Sequence, residues 1–168
     1  MNVLVRPRGG DFCYSNAEIE IMLMDIASIK SIGRYEDRTN SLSVSGVVIG
    51  ALTASGEVDE DLTARLISAA RPEMTVTFHR AIDAARDTME AFKVCQRLRV
   101  ERVLTSGRAS TALLGVDLIR QMVEESKKGE KENKWSVIVL AGGGVNKDNA
   151  ADIIAASGVT ELHGCEYC

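Results

Sequence analysis

Apolar positions along this chain follow two alternating periods, and the switches between them predict six strands separated by helices. Short runs rich in Val, Ile, Leu and Thr lie at about 2–6, 44–50, 74–79, 102–106, 136–141 and 160–163. Their length, β-branched content and bounding turn residues mark them as strands. Between them the spacing becomes helical. Glu18 to Ile32 repeats apolar residues at Ile19, Met22, Leu23, Ile26 and Ile29, with Ser15 or Asn16 as its cap. Further helices are predicted over Asp59–Ala70, Asp87–Leu98 and Ser110–Glu125, and a last one is capped by Asn146 and stopped by Gly158. The methionines Met22, Met24 and Met122 fall at helical spacing and read as core. Two polar stretches without a period, Gly33–Ser43 and the charge run Ser126–Lys134, read as surface loops.

Strand and helix alternate throughout, so the fold class is α/β, a single domain over 1–168 with a parallel sheet of about six strands. Two architectures compete. A doubly wound open sheet fits the length, but its first strand ordinarily leads into a G-x-G-x-x-G turn. Here the first turn is Arg-Pro-Arg-Gly-Gly-Asp, and the glycine-rich turn Gly142-Gly143-Gly144 follows the fifth strand. A TIM-type (β/α)8 barrel places its phosphate cradle after strands seven and eight and typically takes about 250 residues. Setting the glycine turn after strand seven leaves two N-terminal units without a counterpart. At roughly 30 residues per unit the complete barrel would be about 230 residues long. An incomplete TIM-barrel-like fold is therefore expected.

The carboxyl ends of the strands then gather on one rim, where parallel β/α proteins bind ligands. In the third strand, alternation sends Val76 and Phe78 toward the helices and Thr75, Thr77 and His79 toward the barrel axis. His79 sits at the mouth, as proton shuttle, anion donor or metal ligand, or as a hydrogen-bonded filler of the upper layer. Arg6 points inward by the same parity, and a guanidinium fork suits carboxylate or phosphate. Arg8 with Asp11, and Arg80 with Asp83, read equally as ligand contacts or as ion pairs that shape the rim. Gly142, Gly143 and Gly144, read as opening a helix, can expose backbone N–H groups to an anion, with Ser106 and Gly107 as a second donor set. The pocket so formed suits a small anionic molecule, as in a small-molecule enzyme that binds a phosphorylated or carboxylated metabolite at this rim. No nucleophile, base and orienting group fall together, so no catalytic residue and no reaction are assigned.

Composition narrows the partners. A net charge of -4 without a basic run argues against nucleic acid, as does an aromatic content of 4%. No apolar run reaches the roughly 18 residues of a membrane span. The four cysteines, Cys13, Cys95, Cys165 and Cys168, do not form a disulfide framework, and a reducing cytoplasmic setting is expected. His163, Cys165 and Cys168 make the one local cluster of soft ligands, suited to Cu(I) or zinc, on a tail where fraying is common. An incomplete barrel also leaves two unpaired sheet edges, which favour a homo-oligomer.

Four segments occur in an order that resembles the CutC copper-homeostasis family: Arg6-Pro7-Arg8-Gly9-Gly10-Asp11-Phe12-Cys13-Tyr14-Ser15, Thr75-Val76-Thr77-Phe78-His79-Arg80-Ala81-Ile82-Asp83, Arg102-Val103-Leu104-Thr105-Ser106-Gly107 with Thr111-Ala112-Leu113, and Gly142-Gly143-Gly144-Val145-Asn146. The resemblance implies a (β/α)8 barrel entered at its third strand, a role in copper homeostasis and copper as a ligand. The copper-binding cysteines proposed for animal members fall in the part without a counterpart here. Copper as the family's ligand thus comes by resemblance only, and the resemblance carries it onto no particular residue of this chain. The alternative to a copper-homeostasis role is the metabolite-binding enzyme read from the rim.

Overall fold

A computed structural model describes residues 1–34, 44–132 and 134–164. Six strands form one sheet in sequential order: β1 (Asn2–Leu4), β2 (Gly46–Ile49), β3 (Thr75–Phe78), β4 (Arg102–Thr105), β5 (Ile138–Val145) and β6 (Glu161–Gly164). Every pairing is parallel. The helices between them are α1 (Asn16–Arg34), α2 (Glu60–Ala70), α3 (Ala81–Ala84), α4 (Thr88–Arg97), α5 (Val116–Lys131) and α6 (Ala150–Ser157). The sheet curls into a half-barrel with helices outside, the incomplete TIM-like architecture that the element order implies.

Register explains where the core lies. Val47 pairs with Val76 and Val103 with Val139, and all four are buried beneath the helices. One residue on, Leu4, Val48 and Thr77 lie in register on the concave face, where Leu104 and Leu140 form a second matched pair. That face is only partly covered: Leu4 on the β1 edge is 59% exposed. Across β5, Arg102 and Glu161 pair at 2.7 Å and tie β4 to β6.

Local chemistry sets the helix ends. Glu18 accepts from the Ser15 N–H at 2.7 Å while the Ser15 hydroxyl faces the Glu18 N–H, a capping box opening α1. Asp59 accepts from Leu62 N–H, and Asp87 from Met89 and Glu90 N–H. Gly158 closes α6 in the left-handed conformation, φ 74°.

Four expectations are corrected. The charge run is mostly helix, because α5 continues to Lys131, and buried Ser126 donates to Val137 O and accepts from Val137 N–H. The α5 helix begins at Val116, because Gly107 and Arg108 are left-handed (φ 66° and 63°) and Gly115 packs directly on the Ser106 carbonyl. Asn146 does not cap α6, which starts at Ala150; its side chain instead accepts from Asp148 and Asn149 N–H and closes the preceding turn. Met24 faces outward on α1, 67% exposed, whereas Met22 and Met122 are in the core. The Gly33–Ser43 loop lies largely outside the described residues.

Candidate functional site

His79 follows the last residue of β3, held by its N–H donating to Ile49 O at 2.7 Å. The imidazole is 6% exposed. Nδ1 accepts the Ala81 N–H at 3.1 Å, a donor supplied by the first residue of the short helix α3. A nitrogen that accepts carries no hydrogen, so the proton of the neutral ring sits on Nε2. Nε2 is buried and has no hydrogen-bond partner among the described residues. Burial, followed by the Arg6 charge, lowers the ring's pKa from 6.5 to about 4. At neutral pH, His79 is an uncharged N–H donor.

Arg6 extends from β1 into the same space. Its Nη2 donates to Gly10 O at 2.8 Å, and its guanidinium lies 4.6 Å from the Phe12 ring centroid. Phe12 in turn stands 5.1 Å from the His79 ring. The turn after β1 is thus folded back, with Phe12 touching both polar groups and its carbonyl accepting from Leu52 N–H. Arg6 Nε is buried without a partner, and among the described residues no carboxylate pairs with this arginine. Arg6, Phe12, His79 and Arg80 line one cavity of about 350 Å³, floored by Val48 and Leu140. That volume suits a small metabolite.

Arg80 also lines the cavity, held from outside it by Asp83. Arg80 Nε donates to Asp83 at 2.8 Å and Nη2 to Ser106 Oγ at 2.7 Å. Asp83 also accepts from Thr105 Oγ1 at 2.5 Å, Ser106 N–H at 3.0 Å and Arg108 N–H at 3.1 Å. Burial favours its neutral form, yet Arg80, Thr105 and these backbone donors outweigh it and hold the carboxyl below its ordinary range. Asp83 is therefore a fixed anion at the centre of the β4 turn. The donor set expected from Ser106 and Gly107 is taken up internally, Gly107 N–H by Thr105 Oγ1.

Gly142, Gly143 and Gly144 lie inside β5, not at a helix start. Gly143 (φ 109°) and Gly144 (φ 66°) take conformations that glycine tolerates best. A Cβ at Gly143 would stand 3.2 Å from Ser106 Cβ and 3.4 Å from Arg80 Nη1, so this glycine lets the Arg80 wall close in. Arg8 is occupied within its own turn, pairing with Asp11 at 2.8 Å and Glu18 at 2.5 Å and donating to Cys13 O. His163 is exposed at the end of β6 and borders the cavity. Cys165 and Cys168 lie outside the described residues. Cys13 is exposed, while Cys95 is buried and burial raises its thiol pKa.

Two contributors went unread in the sequence. Gly50 follows β2, and a Cβ there would overlap the His79 ring. Phe12 links Arg6 to His79. A glycine just past a strand could have signalled close approach.

Among the described residues no helix is long and apolar enough to cross a membrane. The sequence model of the CutC family matches residues 1–168. A copper homeostasis protein cutC homolog of Mus musculus is 41% identical over 161 residues, covering 96% of this chain and 53% of that protein. The homolog of that name in Homo sapiens is 42% identical over 161 residues, 96% and 52% of the two chains. A family protein CutC of Parabacteroides distasonis is 40% identical over 163 residues, 97% and 60%. The chain thus spans about half the length of the animal relatives. A crystal structure of a CutC from Streptococcus agalactiae superposes with a TM-score of 0.82 at 24% identity, over 99% of this chain and 73% of that one.

Proposed function

Because the chain belongs to the CutC family, we propose that it serves copper homeostasis, as its animal relatives are named, through a rim pocket that holds a small carboxylate or phosphate. One observation carries the pocket reading. Arg6 and His79 line the same cavity, and Arg6 Nε and His79 Nε2 are buried donors with no hydrogen-bond partner among the described residues. Buried polar groups are ordinarily satisfied, and an unmet pair costs free energy that a bound acceptor recovers. An anion supplies acceptors for both and balances the Arg6 charge.

The described residues do not fit a copper ion at this position. His79 presents a hydrogen on Nε2, and its other nitrogen is engaged by Ala81. Arg6 and Arg80 repel cations. Among the described residues no group of three His, Cys, Asp or Glu side chains is arranged to hold a metal. A second reading, Cu(I) chelated by His163 with Cys165 and Cys168, is favoured by the soft-ligand spacing of the tail. Cu(I) titration of the reduced chain with both cysteines changed to Ser tests it; unchanged stoichiometry removes it. A cytoplasmic setting belongs to the same proposal. No reaction is assigned.

The anion reading is tested by melting the chain with a panel of carboxylates and phosphates. A ligand at about 100 times its dissociation constant stabilises by about 2.7 kcal/mol. The shift should disappear in His79→Ala and Arg6→Gln. A panel in which no anion moves the melting temperature overturns the reading.

A further inference from the structure

Arg80 is the second cation on the cavity wall, and it is held differently from Arg6. Two of its nitrogens are tied, Nε to Asp83 and Nη2 to Ser106 Oγ. Both anchors are themselves fixed, since Asp83 is bound by the β4 turn and Ser106 is fully buried. The guanidinium plane therefore has little freedom to turn. Its third nitrogen, Nη1, has no hydrogen-bond partner among the described residues and lies beside Gly143, whose lack of a side chain keeps that approach open. The side chain remains 44% exposed.

Two cationic side chains, Arg6 and Arg80, thus line one cavity together with His79. Arg6 Nε and His79 Nε2 offer one donor group, and Arg80 Nη1 offers a second. No acidic side chain lines the cavity. Asp83 pairs with Arg80 from the opposite edge of the guanidinium, leaving Nη1 available. One anionic group on Arg6 and His79 would leave Arg80 Nη1 to solvent alone.

Resting on the anion reading above, we propose that the ligand is a two-headed anion, a dicarboxylate or a phosphorylated carboxylate. One anionic group binds Arg6 and His79, and the other binds Nη1 of Arg80. Asp83 acts as a positioning residue that aims this second donor.

The experiment is calorimetric titration of the chain with straight-chain dicarboxylates and with monocarboxylates of equal carbon number. The dicarboxylate of best length should bind about ten-fold or more tightly than its monocarboxylate counterpart. Arg80→Lys keeps a charge for Asp83 but removes Nη1. It should lose the dicarboxylate preference, its dicarboxylate affinity falling at least ten-fold more than its monocarboxylate affinity. Arg6→Gln should weaken both ligands. Equal affinity for the two classes in the parent, or a preference that survives Arg80→Lys, overturns the two-headed ligand while leaving the pocket reading intact if Arg6→Gln still weakens binding. If neither class binds the parent, and no phosphate shifts its melting temperature, the pocket reading falls and this inference falls with it.

Discussion

The backbone N–H of Ala81 donates to Nδ1 of His79 at 3.1 Å and so determines which imidazole nitrogen carries the proton. This contact joins the end of β3 to the first residue of α3. It makes the ring a neutral N–H donor in the cavity lining, with a pKa lowered to about 4 by burial and then by Arg6.

Stability should therefore depend on pH through His79. Between about 4 and the ordinary 6.5, the unfolded chain binds a proton that the folded chain does not. Stability then rises with pH across this window and is lost as pH falls from 6.5 toward 4. The shift sets an upper bound of about 3 kcal/mol on the effect. Urea unfolding of the chain and of His79→Gln at several pH values checks this. The variant should lose most of the slope in that window, and an unchanged slope contradicts the neutral, buried ring.

Gly50 should prove as necessary to the site as any polar residue. A methyl group there would overlap the imidazole, and neighbouring Ala81 leaves little room for the ring to retreat. Overpacking of this kind costs about 1–3 kcal/mol. Gly50→Ala should lower the melting temperature and weaken anion binding together. Gly9→Ala is the control, because a Cβ there meets nothing within 4 Å. Equal behaviour of the two variants would remove the steric argument.

Much of this geometry was legible in the chain because period-two alternation is a strong signal. Val76 and Phe78 are buried, while Thr77 and His79 line the cavity, as strand parity requires. The order of the elements likewise implied a parallel, barrel-like sheet. What escaped depends on contacts between segments distant in sequence. Nothing local announces that Gly50 makes room for a histidine 29 residues later. The α3 helix has four residues, too few to show a period, yet it supplies the Ala81 donor. The run after Glu125 looked like a solvated loop because it is highly charged. Glu125 and Lys128 nevertheless sit at helical spacing, and Ser126 anchors the helix to Val137. The glycine turn reads as a helix start because Asn146, a favoured N-cap residue, follows it closely. The structure keeps those glycines in β5 and uses Gly143 for close approach to Arg80.

Asp83→Asn tests how strongly the β4 turn is bound to the rim. The amide keeps the shape but loses the charge and one acceptor, so the donors from Thr105, Ser106 and Arg108 can no longer all be met. Hydrogen bonds to a charged group each contribute about 1.5–3 kcal/mol, and a net loss of about 2–3 kcal/mol is expected. Because the carboxyl is held below its ordinary 3.8, its contribution is present above that value and fades as pH falls further. Amide exchange at Ser106 and Arg108 should accelerate in the variant at neutral pH. Unchanged exchange there would show that Asp83 does not hold the turn.

The outer surface of α1 supplies the last expectation. Ile21, Met24 and Ile32 are 49%, 67% and 63% exposed, at spacings that align them along one side of the helix. Separately, the β1 strand is a sheet edge, bonded only to β2 among the described residues, and carries exposed Leu4. An apolar helix stripe and an open strand edge each favour self-association. Sedimentation velocity should show the average mass rising with concentration, and Ile21→Glu with Met24→Lys should reduce the rise without lowering the melting temperature. Neither side chain is in the core, so the paired substitution separates surface association from folding. A mass independent of concentration in the parent chain would show that the stripe is tolerated as bare surface.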